Sequence, residues 1–161
     1  MHIKGLHHNA YRCRDSEETR RFYEDFLGLP LVNAFEITTT KTGRTAHVLH
    51  SFYAMGDGSC LAFFEAPEQP FEFKTQHDFD LHIALEIPHD DLEPWLAKGR
   101  AAGMEVRGVA DHEMIDSIYF RDPNGYVIEL TGKRDNHDEL MDPAVNNARS
   151  HLDRWQAVKP A

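Results

Sequence analysis

Apolar and polar positions along the chain follow an order that occurs twice. Residues 3–13 are β-compatible and run into Asp15, which with Glu18 three positions on forms the capping-box pattern of a helix start. Over 16–27, Phe22, Tyr23, Phe26 and Leu27 fall at helical spacing, and Gly28 follows as a C-cap residue. Residues 31–40 and 46–55 read as strands, Gly56-Asp57-Gly58 as a turn, and 60–64 as a short buried strand. The order is β-α-β-β-β. Residues 66–78, with Pro67 and Pro70, suit a linker.

The second half repeats the order. Residues 79–87 read as a strand, and Leu92, Trp95, Leu96 and Ala102 give a helical face stopped by Gly103. Strands follow near 104–109, 115–121 and 126–131, the last two joined by the hairpin dipeptide Asn124-Gly125. His8 and His82 open equivalent strands 74 residues apart, and Gly28 and Gly103 end equivalent helices 75 apart. A near-constant offset across strand and helix points to an internal repeat. The tail, 132–161, lies outside it. Asp142-Pro143 suits a helix start, and Val145, Ala148, Leu152 and Trp155 form one apolar stripe. That stripe is expected to cover the domain or to pack on a second subunit, and with it a homodimer is expected.

A chain of 161 residues fits one domain with a real core. The expected division is a single domain over 1–131, built of modules 3–65 and 79–131, with a helical extension over 132–161. A composition of 41% hydrophobic and 27% charged residues is that of a soluble globular protein. The net charge of −10 disfavours nucleic acid and anionic membranes as partners. No apolar run approaches the roughly 20 residues of a membrane span, and the start lacks a leader pattern, so a cytoplasmic location is expected. Cys13 and Cys60 do not make a disulfide framework.

Among eleven histidines, His8 and His82 stand out by their equivalent positions. Glu129 sits in the apolar run Val127-Ile128-Glu129-Leu130, where a carboxylate is costly unless paired or ligated. Two imidazoles and one carboxylate on one face form the facial triad of non-haem iron(II) sites. The same residues also read as two satisfied histidines and an edge-strand glutamate, and spacing alone leaves both readings open.

The opening Leu6-His7-His8 through Asp15, Phe22-Tyr23 and Leu27-Gly28-Leu29, with the close Asp122-Pro123-Asn124-Gly125-Tyr126-Val127-Ile128-Glu129-Leu130, resembles the vicinal oxygen chelate superfamily. Glyoxalase I, methylmalonyl-CoA epimerase, extradiol dioxygenases and the fosfomycin and bleomycin resistance proteins belong to it. The resemblance covers about residues 4–131. It implies an α+β fold, with two βαβββ modules forming a cup-shaped mixed sheet around a metal, and His8, His82 and Glu129 as ligands.

Glyoxalase-like members place a fourth ligand where this chain has Ala62, and Glu65 reaches that face only through a bulge. The run His112, Ile118-Tyr119, Asp122-Pro123-Asn124-Gly125, Glu129 is similar to the extradiol signature. The resemblance therefore implies an Fe(II)-dependent extradiol-type dioxygenase that uses O₂ to cleave a small catechol-like aromatic, with His112 and Tyr119 as catalytic residues. Mn, Zn, Ni or Co are the other candidate metals. Two alternatives stand beside it. One is a glyoxalase- or epimerase-like lyase or isomerase with Glu65 as fourth ligand. The other is a resistance protein that sequesters its ligand without turnover. His7, next to His8, is expected to face away from the metal, and His47 and His50 are candidates for a supporting histidine.

Overall fold

The computed structural model, which describes residues 2–75 and 77–160, has the α+β class expected from the sequence: two four-stranded mixed sheets, intervening helices and a helical C-terminal segment. One unit comprises the chain up to Leu81 together with Arg121–Tyr126; the other comprises His82–Phe120 and the chain from Val127 onward.

In the first unit, β1 (Tyr11–Cys13) is followed by α1 (Ser16–Arg20), a π-helical turn (Arg21–Phe26), β2 (Leu31–Thr39), β3 (Thr45–Ala54) and β4 (Cys60–Glu65). The sheet order is β1-β4-β3-β2, with β1 parallel to β4 and the other pairs antiparallel. The first strand is shorter than expected: before Tyr11 only a single bridge joins His8 to Cys60. Asn9 supplies the reason, because its side-chain Oδ1 accepts the Ala62 N–H at 3.2 Å, a bond that a regular strand would give to backbone.

Asp15 caps α1 as expected, accepting the Glu18 N–H at 2.8 Å. Glu18 does not complete a capping box; its carboxylate pairs with Arg14. Instead Glu65 Oε2 accepts the Ser16 N–H at 2.7 Å. The π turn closes with Leu27 N–H donating to Phe22 O at 2.9 Å, five residues back, and Phe22, Tyr23 and Phe26 are all buried in it. Gly28 then takes φ +79°, the left-handed end expected of it.

Tyr23 is fully buried, with its ring 4.7 Å from Phe63 and 5.7 Å from Tyr53. Its hydroxyl donates to Asp122 Oδ2 at 2.9 Å. Asp122 organises the Arg121–Tyr126 turn: it also accepts the backbone N–H groups of Asn124 and Tyr126 and the Asn124 amide, at 2.8–3.0 Å. Burial pushes its carboxyl above the usual aspartate range, although these donors oppose the shift. Asn124 in turn accepts the Arg14 N–H and donates to Thr19 Oγ1. At Gly125, φ is +94° and an added Cβ would collide with the backbone of Lys74, so only glycine fits.

In the second unit, β5 (His82–Glu86) leads through a 3₁₀ turn (His89–Asp91) into α2 (Leu92–Ala101). β6 (Val106–Asp111), β7 (Ile115–Arg121) and β8 (Val127–Lys133) complete a sheet of order β5-β8-β7-β6. Leu92 and Leu96 bury the helix face read from the sequence. Gly99 lets the helix close on the sheet, since a Cβ there would lie 2.8 Å from Val106 Cγ2. Behind the sheet, Asp116 accepts from Arg134 Nε at 2.8 Å and pairs with His89 Nε2 at 2.7 Å. Arg134 first and His89 second hold its carboxyl down at about 2.

The tail forms three short helices, α3 (His137–Met141), α4 (Pro143–Asn146) and α5 (Ala148–Val158). Asp142 caps α4 as expected, accepting the Ala144 N–H at 2.8 Å. Asn147 interrupts the helix at φ +52°. The apolar stripe does not cover a core: Leu152 is 49% and Trp155 60% exposed. Among the described residues no helix is long and apolar enough to cross a membrane.

Removing the hydroxyl in Tyr23→Phe takes one donor from a buried carboxylate and is expected to cost about 2 kcal/mol in urea unfolding. Asp116 gives a pH test. Its folded pKa of about 2 lies below the ordinary value of 3.8, so its contribution is complete above pH 3.8 and fades as pH falls toward 2. The stability difference between wild type and Asp116→Asn is therefore expected to be constant near neutrality and to shrink in acid; a difference that grew in acid would refute this linkage.

Candidate functional site

Strand β8 alternates between two faces: Ile128 and Leu130 point one way, Glu129 and Thr131 the other. Glu129 is only 5% exposed. In the parallel ladder β5 places Ala84 opposite Glu129 and His82 opposite Val127, so His82 stands two residues along on the same face. His82 Nε2 lies 3.1 Å from Glu129 Oε2. β7 brings Tyr119 to this face. Its hydroxyl donates to Glu129 Oε1 at 3.3 Å and lies 2.8 Å from His112 Nε2. With the Tyr119 proton directed to the carboxylate, His112 Nε2–H is the donor to Tyr119, giving a chain from His112 through Tyr119 to Glu129.

Four of the five residues singled out from the sequence thus converge in the second unit. The reading that treats Glu129 as an edge-strand glutamate fails, because β8 is flanked by β5 and β7. The pair His82–Glu129 fits a divalent cation. An imidazole nitrogen and a buried carboxylate oxygen, aimed at each other across 3.1 Å, are both ligand atoms for such ions, and His82 is 42% exposed on its open side.

The sequence reading missed Arg107. It is the cross-strand partner of Tyr119 on β6, and its guanidinium sits 5.1 Å from the centroid of the Tyr119 ring. Only the β6–β7 register reveals this, since the two residues are twelve apart in sequence with a turn between them.

His8 belongs to the first unit. Its ring meets Phe52 edge-on at 5.3 Å, and its Nδ1 lies 2.7 Å from Nδ1 of His7. The expectation that His7 faces away is not met, because neither residue sits in a regular ladder where alternation would apply. Ala62 is fully buried opposite Phe52 and offers no ligand atom. The β3–β4 register runs without a bulge from Cys60 to Glu65, and the Glu65 carboxylate caps α1. Glu65 is therefore committed to the helix end and not to the face that carries Ala62. Among the described residues no three His, Cys, Asp or Glu side chains form a metal-binding group.

Residues 5–130 match the family model described as the glyoxalase/bleomycin resistance protein/dioxygenase superfamily. The metallothiol transferase FosB of Bacillus licheniformis is 32% identical over 130 residues, covering 80% of this chain and 75% of the relative. A glyoxalase/bleomycin resistance protein/dioxygenase domain from Frankia superposes with a TM-score of 0.67 at 16% identity, over 83% of this chain and all of that one. A mutant of the fosfomycin resistance protein FosX from Listeria monocytogenes, in complex with Mn(II) and 1S,2S-dihydroxypropylphosphonic acid, superposes with a TM-score of 0.62 at 20% identity, over 86% of this chain and 99% of that one.

These likenesses overturn the extradiol dioxygenase expected from the His112–Tyr119–Glu129 spacing, and with it iron-dependent ring cleavage by O₂. The relative is a thiol transferase. The physical reason is visible in the turn. The Asp122-Pro123-Asn124-Gly125 part of the signature builds the hairpin and anchors Tyr23, Thr19 and Arg14, so its presence reports the fold and not the reaction. His112 and Tyr119, the discriminating positions, are bonded to each other beside Glu129, an arrangement that carries no mark of a catechol. The matched span of 5–130 and the relative at 32% identity decide the lineage: the chain belongs to the glyoxalase/bleomycin resistance protein/dioxygenase superfamily.

Proposed function

We propose that the chain is a divalent-metal-dependent enzyme of the fosfomycin-resistance kind, adding a thiol or water to a small epoxide that bears a phosphonate. The observation that carries the proposal is the buried Glu129 carboxylate 3.1 Å from His82 Nε2, in a chain 32% identical to a metallothiol transferase. His82 and Glu129 are the proposed ligands, with His8 as the third. The Mn(II) bound by the Listeria relative favours manganese over Fe(II).

A divalent cation held by these ligands supplies Lewis-acid polarisation of a substrate oxygen. The chain's own residues do the rest. The Tyr119 hydroxyl donates to the Glu129 carboxylate at 3.3 Å and orients it for ligation. His112 holds that hydroxyl from the other side at 2.8 Å, fixing the direction in which it faces Glu129. Arg107, beside the Tyr119 ring, offers a planar cation to a phosphonate. In the thiol reaction an S–C bond forms, the epoxide C–O bond breaks, and the freed oxygen takes the proton lost by the thiol. With water, an O–C bond forms in the same way and the product is a vicinal diol, as in the compound bound by the Listeria protein.

Two measurements test this. Mn(II) titration followed by electron paramagnetic resonance is expected to show at least a hundredfold loss of affinity in Glu129→Gln, and wild-type affinity in that variant would sink the ligand assignment. Phosphorus NMR of fosfomycin with Mn(II) and L-cysteine, or Mn(II) alone, is expected to show conversion. In that assay Tyr119→Phe lowers kcat by about 10²-fold, and Arg107→Met raises KM more than it lowers kcat. No conversion under either condition, with Mn(II) binding intact, would refute the substrate class.

A further inference from the structure

The C-terminal helix α5 has an apolar side that nothing in the chain covers. Every residue from Ala148 to Val158 is exposed. Leu152, Trp155 and Val158 follow at three-residue spacing along one side, and are 49%, 60% and 69% exposed. Asn147, left-handed at φ +52°, separates this helix from α4. An isolated helix of 11 residues is marginal in water, and helices in proteins draw most of their stability from a packed apolar face. The apolar side of α5 therefore calls for a cover.

Charge narrows what that cover is. Residues 148–161 hold Arg149, Arg154 and Lys159 against the single acid Asp153, a basic segment in a chain of net charge −10. Arg149 pairs with Asp153, whereas among the described residues no carboxylate pairs with Arg154 or Lys159. A complementary surface lies in the same sequence. Between the two repeats, Phe73 and Phe79 are 48% and 94% exposed. His77 folds the turn that presents Phe79: its Nδ1 accepts the Phe79 N–H at 3.2 Å and its carbonyl accepts the Asp80 N–H at 2.8 Å. Glu72 and Asp80 stand next to these rings in sequence, both exposed and, among the described residues, without a cation. One chain thus leaves uncovered both a basic helix with an apolar side and an acidic surface with two open rings.

We infer that α5 docks on a second copy of this chain, at the surface that carries Phe73, Phe79, Glu72 and Asp80. Leu152, Trp155 and Val158 meet the two phenylalanine rings, and Arg154 and Lys159 face the two carboxylates. Each chain has both parts, so a twofold pair makes the contact twice. The rings supply large contact area, and the opposite charges select the surface. A second copy brings the acidic aromatic surface wherever the helix is present, which favours it over an unrelated partner. The inference does not depend on metal at Glu129.

Sedimentation velocity of the full chain is expected to show a monomer–dimer equilibrium that weakens severalfold between roughly 50 and 500 mM salt. The α5 amides are expected to exchange their hydrogens more slowly as protein concentration rises. Trp155→Ala and Phe79→Ala are each expected to weaken the dimer at least about tenfold. Two charge-reversed chains identify the surface. One carries Arg154→Glu with Lys159→Glu, the other Glu72→Lys with Asp80→Lys. Each alone is expected to stay monomeric where the wild type is dimeric. Mixed, they are expected to form a one-to-one dimer, because both contacts again join opposite charges; a misfolded variant would not be rescued in this way. A monomer at all concentrations with protected α5 amides would place the helix on its own chain, and one with unprotected amides would leave its apolar side to a different partner. Either result overturns the inference, as does a dimer that survives both alanine variants, or a mixture that fails to pair.

Discussion

A carboxylate buried in a central strand constrains the second unit more than any other group. Glu129 is nearly inaccessible, yet its strand neighbours Ile128 and Leu130 are core residues. Such a group is tolerated only where something compensates its charge. The chain meets this demand from three strands, with His82 on β5, Tyr119 on β7 and His112 just beyond β6. Strand alternation keeps the chemistry apart from the packing. Glu129, Tyr119 and Thr131 share one face, while Ile118, Phe120, Ile128 and Leu130 bury the other.

The first unit solves a different problem with a second buried carboxylate. Asp122 accepts four neutral donors, two from its own turn backbone, one from the Asn124 side chain and one from Tyr23. Burial raises the Asp122 pKa against the pull of these donors, whereas Arg134 and then His89 depress that of Asp116. Asp122 is satisfied by neutral donors and serves structure, whereas Glu129 faces the His82 imidazole and the Tyr119 hydroxyl. Two buried carboxyl groups within eight positions of sequence therefore sit in different settings, and the surroundings of each decide what it can do.

That contrast explains why a motif can identify a lineage and still mislead about a reaction. Residues 122–125 build a tight turn that needs an acceptor for its backbone donors and a glycine at φ +94°. A pattern built on them finds the fold wherever it occurs. What a chain of this fold does depends on groups outside the turn, and the turn's own bonds carry no information about them.

The sequence by itself determined the element order, the helix caps at Asp15, Gly28 and Asp142, the Asn124-Gly125 turn, and the twofold repeat, because each rests on local backbone chemistry or on periodicity. It also singled out Glu129, since a charge in an apolar run is anomalous before any fold is known. Tertiary structure alone decided which groups Glu129 meets. The parallel β5–β8 register puts His82 beside it, and the β6–β7 register brings Arg107 to Tyr119. It also decided that Asn9 interrupts the first strand, that Glu65 caps a helix, and that the tail's apolar stripe stays exposed. Register and side-chain partnership are long-range properties. They emerge when strands far apart in sequence are aligned, and a one-residue slip in that alignment would turn each of these side chains to the opposite face.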